Sequence, residues 1–214
     1  MILNITNGDY LNAKLSKENE GVFFPFREAI IQGEVTSTVL NGDFIRIRAK
    51  CLGVSEEIYM QNTKELLEFA NCHDKYSNMK LWFGKDTFCQ LNLLTLLVYL
   101  EQIGYDGKIE LVLIDDETGC VLQDGKTIEL GQYFNVYRAV LLEKQMPNNL
   151  GVIDKRAIEL YFDFLSPNGE LATMIHKNQN LTEEELVVLI LENSKDYGLS
   201  DLNVKELISR VKIW

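Results

Sequence analysis

The stretch LWFGKDTFCQL, residues 81–91, joins a short apolar strand to a long apolar helix through a polar turn. The strand ends at Phe83, and the helix that begins at Thr87 has too little polar surface to be anything but buried. Asp86 therefore lies after the carboxyl end of a strand and at the amino end of a helix. Open α/β sheets bind ligands in the crevice at this position. The stretch thus predicts both a fold class and a ligand site.

Four short apolar segments, each bounded by polar or glycine residues, are typical of strands. They are Ile2 to Thr6, Val22 to Phe26, Leu81 to Phe83 and Ile109 to Ile114. Helical patterns lie between them, at Asp9 to Leu15, Glu57 to Phe69 and Thr87 to Ile103. This alternation predicts an α/β protein with a mainly parallel, Rossmann-like sheet and flanking helices.

Two segments before residue 131 are harder to assign. Phe44 to Arg48 alternates like a strand, yet the residues that follow could continue it as a helix. Asp115 to Gly119 is a predicted turn. Beyond it, Cys120 to Leu122 and Thr127 to Leu130 predict a hairpin around Asp124-Gly125.

The stretch Pro147 to Gly151 is the best candidate for a domain boundary, because the sequence beyond it predicts only helices. We therefore predict an α/β domain at residues 1–146, which ends in a helix from Tyr133 to Lys144. A helical C-terminal region is predicted at residues 152–214.

Four helices are predicted in the C-terminal region. They are Asp154 to Phe164, Leu171 to His176, Thr182 to Ser194 and Ser200 to Lys212. Thr182 and Glu185 match a capping box, and Gly198 falls in the turn before the last helix. The last two helices have the arrangement of a helix-turn-helix DNA reader, but acidic residues dominate the first of them. The charge therefore favours a packing or docking role.

Acidic residues outnumber basic ones by 32 to 21, which gives a formal net charge of −11. This charge opposes attraction to nucleic-acid phosphates and to anionic membrane surfaces, so neither is expected as a partner. The longest apolar run, Leu93 to Leu100, is far shorter than the roughly 18 to 20 residues that span a bilayer. The N-terminus lacks the basic-then-apolar pattern of a secretory signal, so we predict a cytoplasmic location.

The four cysteines, Cys51, Cys72, Cys89 and Cys120, contain no C-x-x-C pair and are expected to stay reduced. Cys72 adjoins His73, but this dipeptide lacks the spaced partners of a closed zinc site, so no metal site is predicted. The sequence identifies no cofactor and no oligomeric state.

Polar side chains follow each predicted strand at the point where it ends. They are Asn7, Gly8 and Asp9, then Arg27, then Lys85 and Asp86, and finally Asp115 and Asp116. The carboxyl ends of parallel strands share one edge of the sheet. Gln90 lies four residues after Asp86 and would face the same side of the helix. We predict one ligand-binding site composed of Asn7, Gly8, Asp9, Arg27, Asp86 and Gln90.

Each residue type in this set suggests a role in binding. Gly8 lets the backbone approach a ligand, and the Arg27 guanidinium can hold a phosphate or carboxylate, so the predicted partner is a small anionic ligand. Asp9 and Asp86 are candidate catalytic groups that accept a proton or hold a divalent cation. Structural alternatives remain open: both aspartates fit helix N-caps, Arg27 fits an ion pair, and Asp115-Asp116 fits a solvated turn.

Several of these residues belong to segments that together resemble a known family. The segments are Ile5 to Asp9, Pro25 to Glu28, and Leu81 to Phe83 with Asp86 and Gln90. In order and spacing they resemble the bacterial family named domain of unknown function 1835, over residues 1 to about 100. Gly198 to Ser200 and Glu206 resemble its C-terminal helical segment. That family has no established reaction, so the resemblance implies a site rather than an activity.

The chain also departs from the family pattern. Tyr10 stands where the family commonly has Ser, Ile31-Gln32-Gly33 where it has His-Glu-Gly, and Gly84-Lys85 where it has Glu-His. Two potential acid/base histidines are thus absent, and His73 and His176 lie in unrelated segments. If the family's activity needs those histidines, this chain is altered or inactive.

Three functions remain open from the sequence. The missing histidines favour a non-catalytic module that binds a small molecule or anion at the carboxyl edge of the sheet. The first alternative is an enzyme that acts on a phosphorylated or nucleotide-like small molecule. The second is a protein-interaction unit that docks through its helical tail. The sequence contains no P-loop, G-x-G-x-x-G, G-x-S-x-G or H-E-x-x-H motif.

Overall fold

A computed structural model describes residues 1–115 and 118–213 of the chain. Its five-stranded sheet has the order β2-β1-β3-β4-β5. The strands are β1 Ile2–Asn7, β2 Val22–Phe26, β3 Asn78–Phe83, β4 Lys108–Ile114 and β5 Val121–Ile128. The first four are parallel, and β5 runs antiparallel to β4. The predicted α/β class with a mainly parallel sheet is confirmed.

Strand β1 is the point where the direction of the chain across the sheet reverses. The chain passes from β1 outward to β2 and then returns across β1 to β3 and β4. Helix α1, Asp9–Leu15, covers one face, where Leu11 and Leu15 pack with Trp82 and Val112. The helices of the β2–β3 and β3–β4 connections pack with Leu3, Ile5 and Leu81, which lie on the opposite face. Doubly wound sheets bind ligands at such a switch point, outside the carboxyl ends of the strands.

Helix α5, Thr87–Gln102, is the central helix of the molecule. Every residue from Cys89 to Leu100 is buried, as the almost wholly apolar sequence of this helix predicts. Polar members of the helix bond internally, and the Thr95 hydroxyl donates to Leu91 O at 2.9 Å. Strands β1 and β3 contact α5 on one side, and later helices contact it on another. The stretch that predicted the fold therefore forms its core.

The segment between β2 and β3 contains three helices, α2 Gly42–Cys51, α3 Glu56–Asn62 and α4 Lys64–Phe69. The helical interpretation of Phe44 to Arg48 is the one observed, and the Asn41 side chain caps α2 by accepting from Phe44 N at 2.8 Å. The single helix predicted from Glu57 to Phe69 is interrupted at Thr63. The Thr63 hydroxyl donates to Tyr59 O at 3.0 Å across this junction.

The hairpin predicted around Asp124-Gly125 is wrong. These two residues lie inside the continuous strand β5, which pairs with β4 along its length. Pairing moves from Lys126 opposite Leu111 to Gln123 opposite Leu113, so β5 carries one extra residue there. Gly125 has a φ of 72°, a conformation that glycine adopts at bulges. Gly125 does adopt the positive φ that a turn would require, but it lies at a β-bulge and not at a turn.

The helix predicted from Tyr133 to Lys144 changes its winding part of the way along. An α-helical turn, α6 Tyr133–Tyr137, continues as a π-helix over Arg138–Leu142. Lys144 then takes a left-handed backbone conformation with a φ of 54°. Residues other than glycine rarely adopt this conformation, so the backbone dihedral angles at Lys144, just after the π-helix, are unusual.

The four helices predicted after residue 152 are all present. They are α7 Lys155–Leu165, α8 Glu170–Lys177, α9 Glu183–Asn193 and α10 Asp201–Ile213. The Thr182 and Glu185 capping box is confirmed, and Gly198 adopts the left-handed conformation with a φ of 68°. Helix α7 packs on α5, and buried side chains from both parts of the chain form one hydrophobic cluster. The division into domains at residues 147–151 stays a prediction.

Within residues 1–115 and 118–213, no helix combines the length and the apolar character that crossing a bilayer requires.

Candidate functional site

The carboxyl ends of β1 and β2 open into a cavity of about 380 Å³, which we call the edge cavity. Four of the six predicted site residues line it: Asn7, Gly8, Asp9 and Arg27. Its apolar side is formed by Phe26, Leu52 and Phe88, and Asn62 adds a polar group from the end of α3. The volume falls within the range of about 300–1,000 Å³ that is usual for small-molecule pockets.

The Arg27 side chain is held between carboxylates. Its Nε donates to both oxygens of Asp9, at 2.9 and 3.0 Å. Its Nη1 donates to Asn62 O at 2.6 Å and to Glu65 at 3.3 Å. The structural alternative for Arg27, an ion pair, is therefore what the structure shows. Two carboxylates surround one guanidinium, which reduces the attraction of this group for a further anion.

Asn7 is fixed in place by helix α5. Its Nδ2 donates to Cys89 Sγ at 2.9 Å, and its Oδ1 accepts from Asn92 Nδ2 at 2.9 Å. The same Asn92 amide donates to Glu28 O at 2.7 Å and accepts from Ile30 N at 3.2 Å. Buried Asn92 thus ties the end of β1 to the segment that follows β2.

Gly8 marks the floor of the turn after β1. Its φ of 85° favours glycine, and a Cβ built on its backbone would meet no atom within 4 Å. Its amide donates to Phe26 O at 3.1 Å and joins the ends of the two strands. The main chain at Gly8 is therefore accessible from the edge cavity.

Asp86 does not line the edge cavity. Its Oδ1 accepts from Cys89 N at 2.9 Å, so it caps α5. Gly198 packs directly against this carboxylate, since a Cβ there would lie 2.2 Å from Asp86 Oδ1. Asp86 instead faces a smaller cavity of about 210 Å³, shared with Lys85, Asp154 and residues of the C-terminal region.

Gln90 is also apart from the edge cavity, and its side chain is only 1% exposed. Its Nε2 donates to Gly84 O at 2.7 Å, and its Oε1 accepts from Asp154 N at 2.9 Å. The amide thus links the end of β3 to the start of α7. The prediction of a single site around all six residues is corrected accordingly: the C-terminal helices cover the part of the edge that Asp86 and Gln90 occupy.

Asp115, the first acid after β4, shapes a turn. Asp115 Oδ1 accepts from the amide and the hydroxyl of Thr118, at 2.8 and 2.7 Å. Asp116 lies outside the described residues.

Sequence reasoning missed a buried ionic network beside the edge cavity. Glu28 and Arg48 form an ion pair at 2.9 Å with side chains 2% and 0% exposed, and the Tyr59 hydroxyl donates to Glu28. Arg48 also donates to three backbone oxygens, those of Ala29, Gln32 and Glu34, at 2.8 to 3.2 Å. All five N–H groups of the Arg48 guanidinium therefore have an acceptor.

The charges of this network are stabilised by each other. Burial alone would lower the pKa of Arg48, but the Glu28 carboxylate, together with Tyr59 and Cys51, acts against burial and the pKa is raised. Burial, with Glu28 beside it, raises the pKa of Tyr59 far above its ordinary value. If residues 42–51 are assigned to a helix, Arg48 lies on the same apolar face as Phe44. That assignment would have predicted a buried charge at this position. A charge at such a position requires a buried partner.

Within residues 1–115 and 118–213, no group of three or more His, Cys, Asp or Glu side chains is placed to hold a metal ion. Comparison of the chain with family models, curated proteins and solved structures found no match. The resemblance to the domain of unknown function 1835 family stays a prediction.

The capping role of Asp86 predicts a sharp difference between two substitutions. Asp86→Asn keeps a side-chain acceptor for Cys89 N and should change the free energy of unfolding by a few tenths of a kcal/mol at most. Asp86→Ala removes the acceptor and should cost about 1 kcal/mol. Urea denaturation of both variants measures the difference. Equal losses would show that the negative charge, and not the cap, is what matters.

Proposed function

We propose that this protein is a small-molecule-binding module whose ligand occupies the edge cavity. The observation that carries the proposal is the convergence of Asn7, Gly8, Asp9 and Arg27 on one cavity at the topological switch point. The half-buried Phe88 adds an apolar side chain to the lining of this cavity. Apolar walls with a few fixed polar groups are the usual composition of a ligand pocket.

The charges around the cavity favour a neutral or cationic ligand over an anionic one. Asp9 is 68% exposed at its side chain, while Arg27 is 28% exposed and already bonded to Asp9 and Glu65. An anion would have to displace one of these carboxylates from the guanidinium. A hydroxyl, amide or ammonium group can instead donate directly to the exposed carboxylate of Asp9.

A binding role is better supported than catalysis by Asp9. Both carboxylate oxygens accept from Arg27 Nε, so the group is held as an anion in an ion pair. The lone pairs that accept from Arg27 are used by the ion pair and are not offered to a substrate proton. The absence of the two family histidines points in the same direction.

Titration calorimetry with a defined panel tests the proposal. The probes are adenosine, glucosamine, inorganic phosphate and glucose 6-phosphate, each added to the wild type, to Asp9→Asn and to Arg27→Ala. We expect a neutral or cationic probe to bind, and its affinity to fall about tenfold in Asp9→Asn, the factor that a lost charge-assisted hydrogen bond of about 1.5 kcal/mol gives. Arg27→Ala should weaken it less.

Arg46→Ala is the matched control, because Arg46 forms an exposed ion pair with Asp43 and does not line the cavity. Its affinity for the probe should equal that of the wild type. Phosphate compounds that bind through Arg27 alone would favour the anionic ligand that the sequence predicted. Binding that is the same in Asp9→Asn, Arg27→Ala and the wild type would overturn the edge cavity as the site.

A further inference from the structure

A second and larger cavity is lined by residues that do not line the edge cavity, and we call it the helical cavity. Its volume is about 470 Å³. Residues 31–35 after β2, the end of the π-helix, α7 and α10 enclose it. None of the six site residues predicted from the sequence lines it.

The walls of the helical cavity are polar and apolar in similar measure. The apolar side chains include Val35, Leu142, Phe164, Leu165 and Leu207. Aliphatic and aromatic groups from four separate segments thus surround one space, which favours a ligand with a hydrocarbon or ring portion.

Lys144 is an exposed residue that brings a positive charge to the rim of this cavity. Its Nζ donates to the Tyr161 hydroxyl at 2.7 Å and lies 5.1 Å from the centroid of that ring. Among the described residues, no carboxylate lies within 4.0 Å of the ammonium group. Partial burial lowers the pKa of Lys144, although Glu34 acts against this effect. The ammonium is therefore positioned without a close counter-ion.

The backbone at Lys144 gives a second reason to assign the side chain a role. A left-handed residue just after a helix is usually glycine or asparagine, which adopt this conformation at less cost. Lys144 has a φ of 54° there and follows the π-helix over Arg138–Leu142. Insertions that produce a π-helix occur frequently at functional sites.

Arg210 lines the same cavity from α10. Its Nη2 donates to Phe164 O at 2.6 Å, and its guanidinium carbon lies 4.8 Å from the centroid of the Phe164 ring. Two carboxylates, Glu34 and Glu206, also line the cavity. Their presence disfavours a doubly charged group such as phosphate, whereas a single negative charge next to Lys144 is compatible with them.

We propose that the helical cavity binds a small amphipathic carboxylate, with the carboxylate group on Lys144 and the apolar portion against Leu142, Phe164 and Leu207. The site is separate from the edge cavity, so it does not depend on the function proposed above. The ligand would supply the counter-ion that Lys144 lacks among the described residues. Its hydrocarbon portion would fill space that the protein leaves open.

Titration calorimetry with octanoate and with uncharged octanamide tests this proposal. The variants are Lys144→Met, which removes the charge at similar length, and Lys144→Arg, which retains it. We expect octanoate to bind the wild type in a 1:1 ratio and to lose at least tenfold in affinity in Lys144→Met. Lys144→Arg should remain within about threefold of the wild type, since the charge is kept. Octanamide should bind the wild type and Lys144→Met alike.

Lys155→Met is the control, because Lys155 forms an exposed ion pair with Glu159 on α7 and does not line the cavity. Methyl NMR of the wild type gives a readout that does not depend on how the variants fold. Octanoate should shift the methyl signals of Val35, Leu142 and Leu207. Absence of binding, shifts confined to other methyl groups, or an octanoate affinity unchanged in a folded Lys144→Met would each overturn the proposal.

Discussion

Replacing Arg48 by Met is expected to lower the free energy of unfolding by about 3–5 kcal/mol, the range found when one partner of a buried ion pair is removed. The substitution leaves the Glu28 carboxylate in the interior with the Tyr59 hydroxyl and the Ala29 amide as its donors. It also leaves the backbone oxygens of Gln32 and Glu34 without the guanidinium. Methionine fills much of the volume of the arginine side chain. The loss of stability is therefore due to the missing charge and hydrogen bonds more than to poorer packing.

Urea denaturation measures this loss, and Arg46→Met provides the control on the same helix. Arg46 is exposed and paired with Asp43, so its replacement should change the free energy of unfolding by less than about 0.5 kcal/mol. The double variant Glu28→Gln with Arg48→Met removes both buried charges and should recover part of the loss. A cost below about 1 kcal/mol for Arg48→Met would show that solvent reaches the Glu28 carboxylate.

The buried guanidinium has a position that connects the two cavities. Glu28 and Ala29 line the edge cavity, and residues 31–35 line the helical cavity. Arg48 bonds to this segment at four residues between Glu28 and Glu34. The network therefore holds the wall that separates one cavity from the other. In a variant that remains folded without it, the geometry of both cavities should change.

The parts of the fold that the sequence predicted well are those governed by local periodicity. Strand β2 and helix α1 have the predicted bounds, and α5 ends one residue before its predicted end. Apolar alternation and helical spacing are properties of neighbouring residues, so they can be read directly from a chain. The Gly125 bulge was misread because a glycine with positive φ suits a turn and a bulge equally well.

The candidate site was predicted only in part, because contacts between residues far apart in the sequence determine which part of the sheet edge stays open. Sequence reasoning placed Asp86 and Asp9 together, since both follow parallel strands. The hydrogen bond from Asp154 N to Gln90 Oε1 joins residues 64 positions apart, and the Thr87 hydroxyl donates to Ala157 O at 3.0 Å. Local patterns do not specify that α7 packs on this part of the edge. The position of Lys144 likewise depends on a π-helix that spacing does not predict.

Truncation of Leu94 to Ala is expected to lower the free energy of unfolding by about 2–5 kcal/mol. Leu94 is fully buried in the middle of α5, and both of its neighbours, Leu93 and Thr95, are fully buried as well. The sheet on one side and α6 and α7 on the other enclose the helix. Because collapse around the missing atoms would require several of these elements to move, the cavity should persist, which places the cost in the upper half of the range.

Urea denaturation again measures the change, with the m-value checked for two-state behaviour. Leu202→Ala is the matched control, since Leu202 on α10 is 71% exposed and its truncation should cost less than about 0.5 kcal/mol. A midpoint of Leu94→Ala equal to that of Leu202→Ala would mean that α5 is peripheral. The strand-to-helix stretch at residues 81–91 would then not form the core, because the helix it begins is the one that carries Leu94.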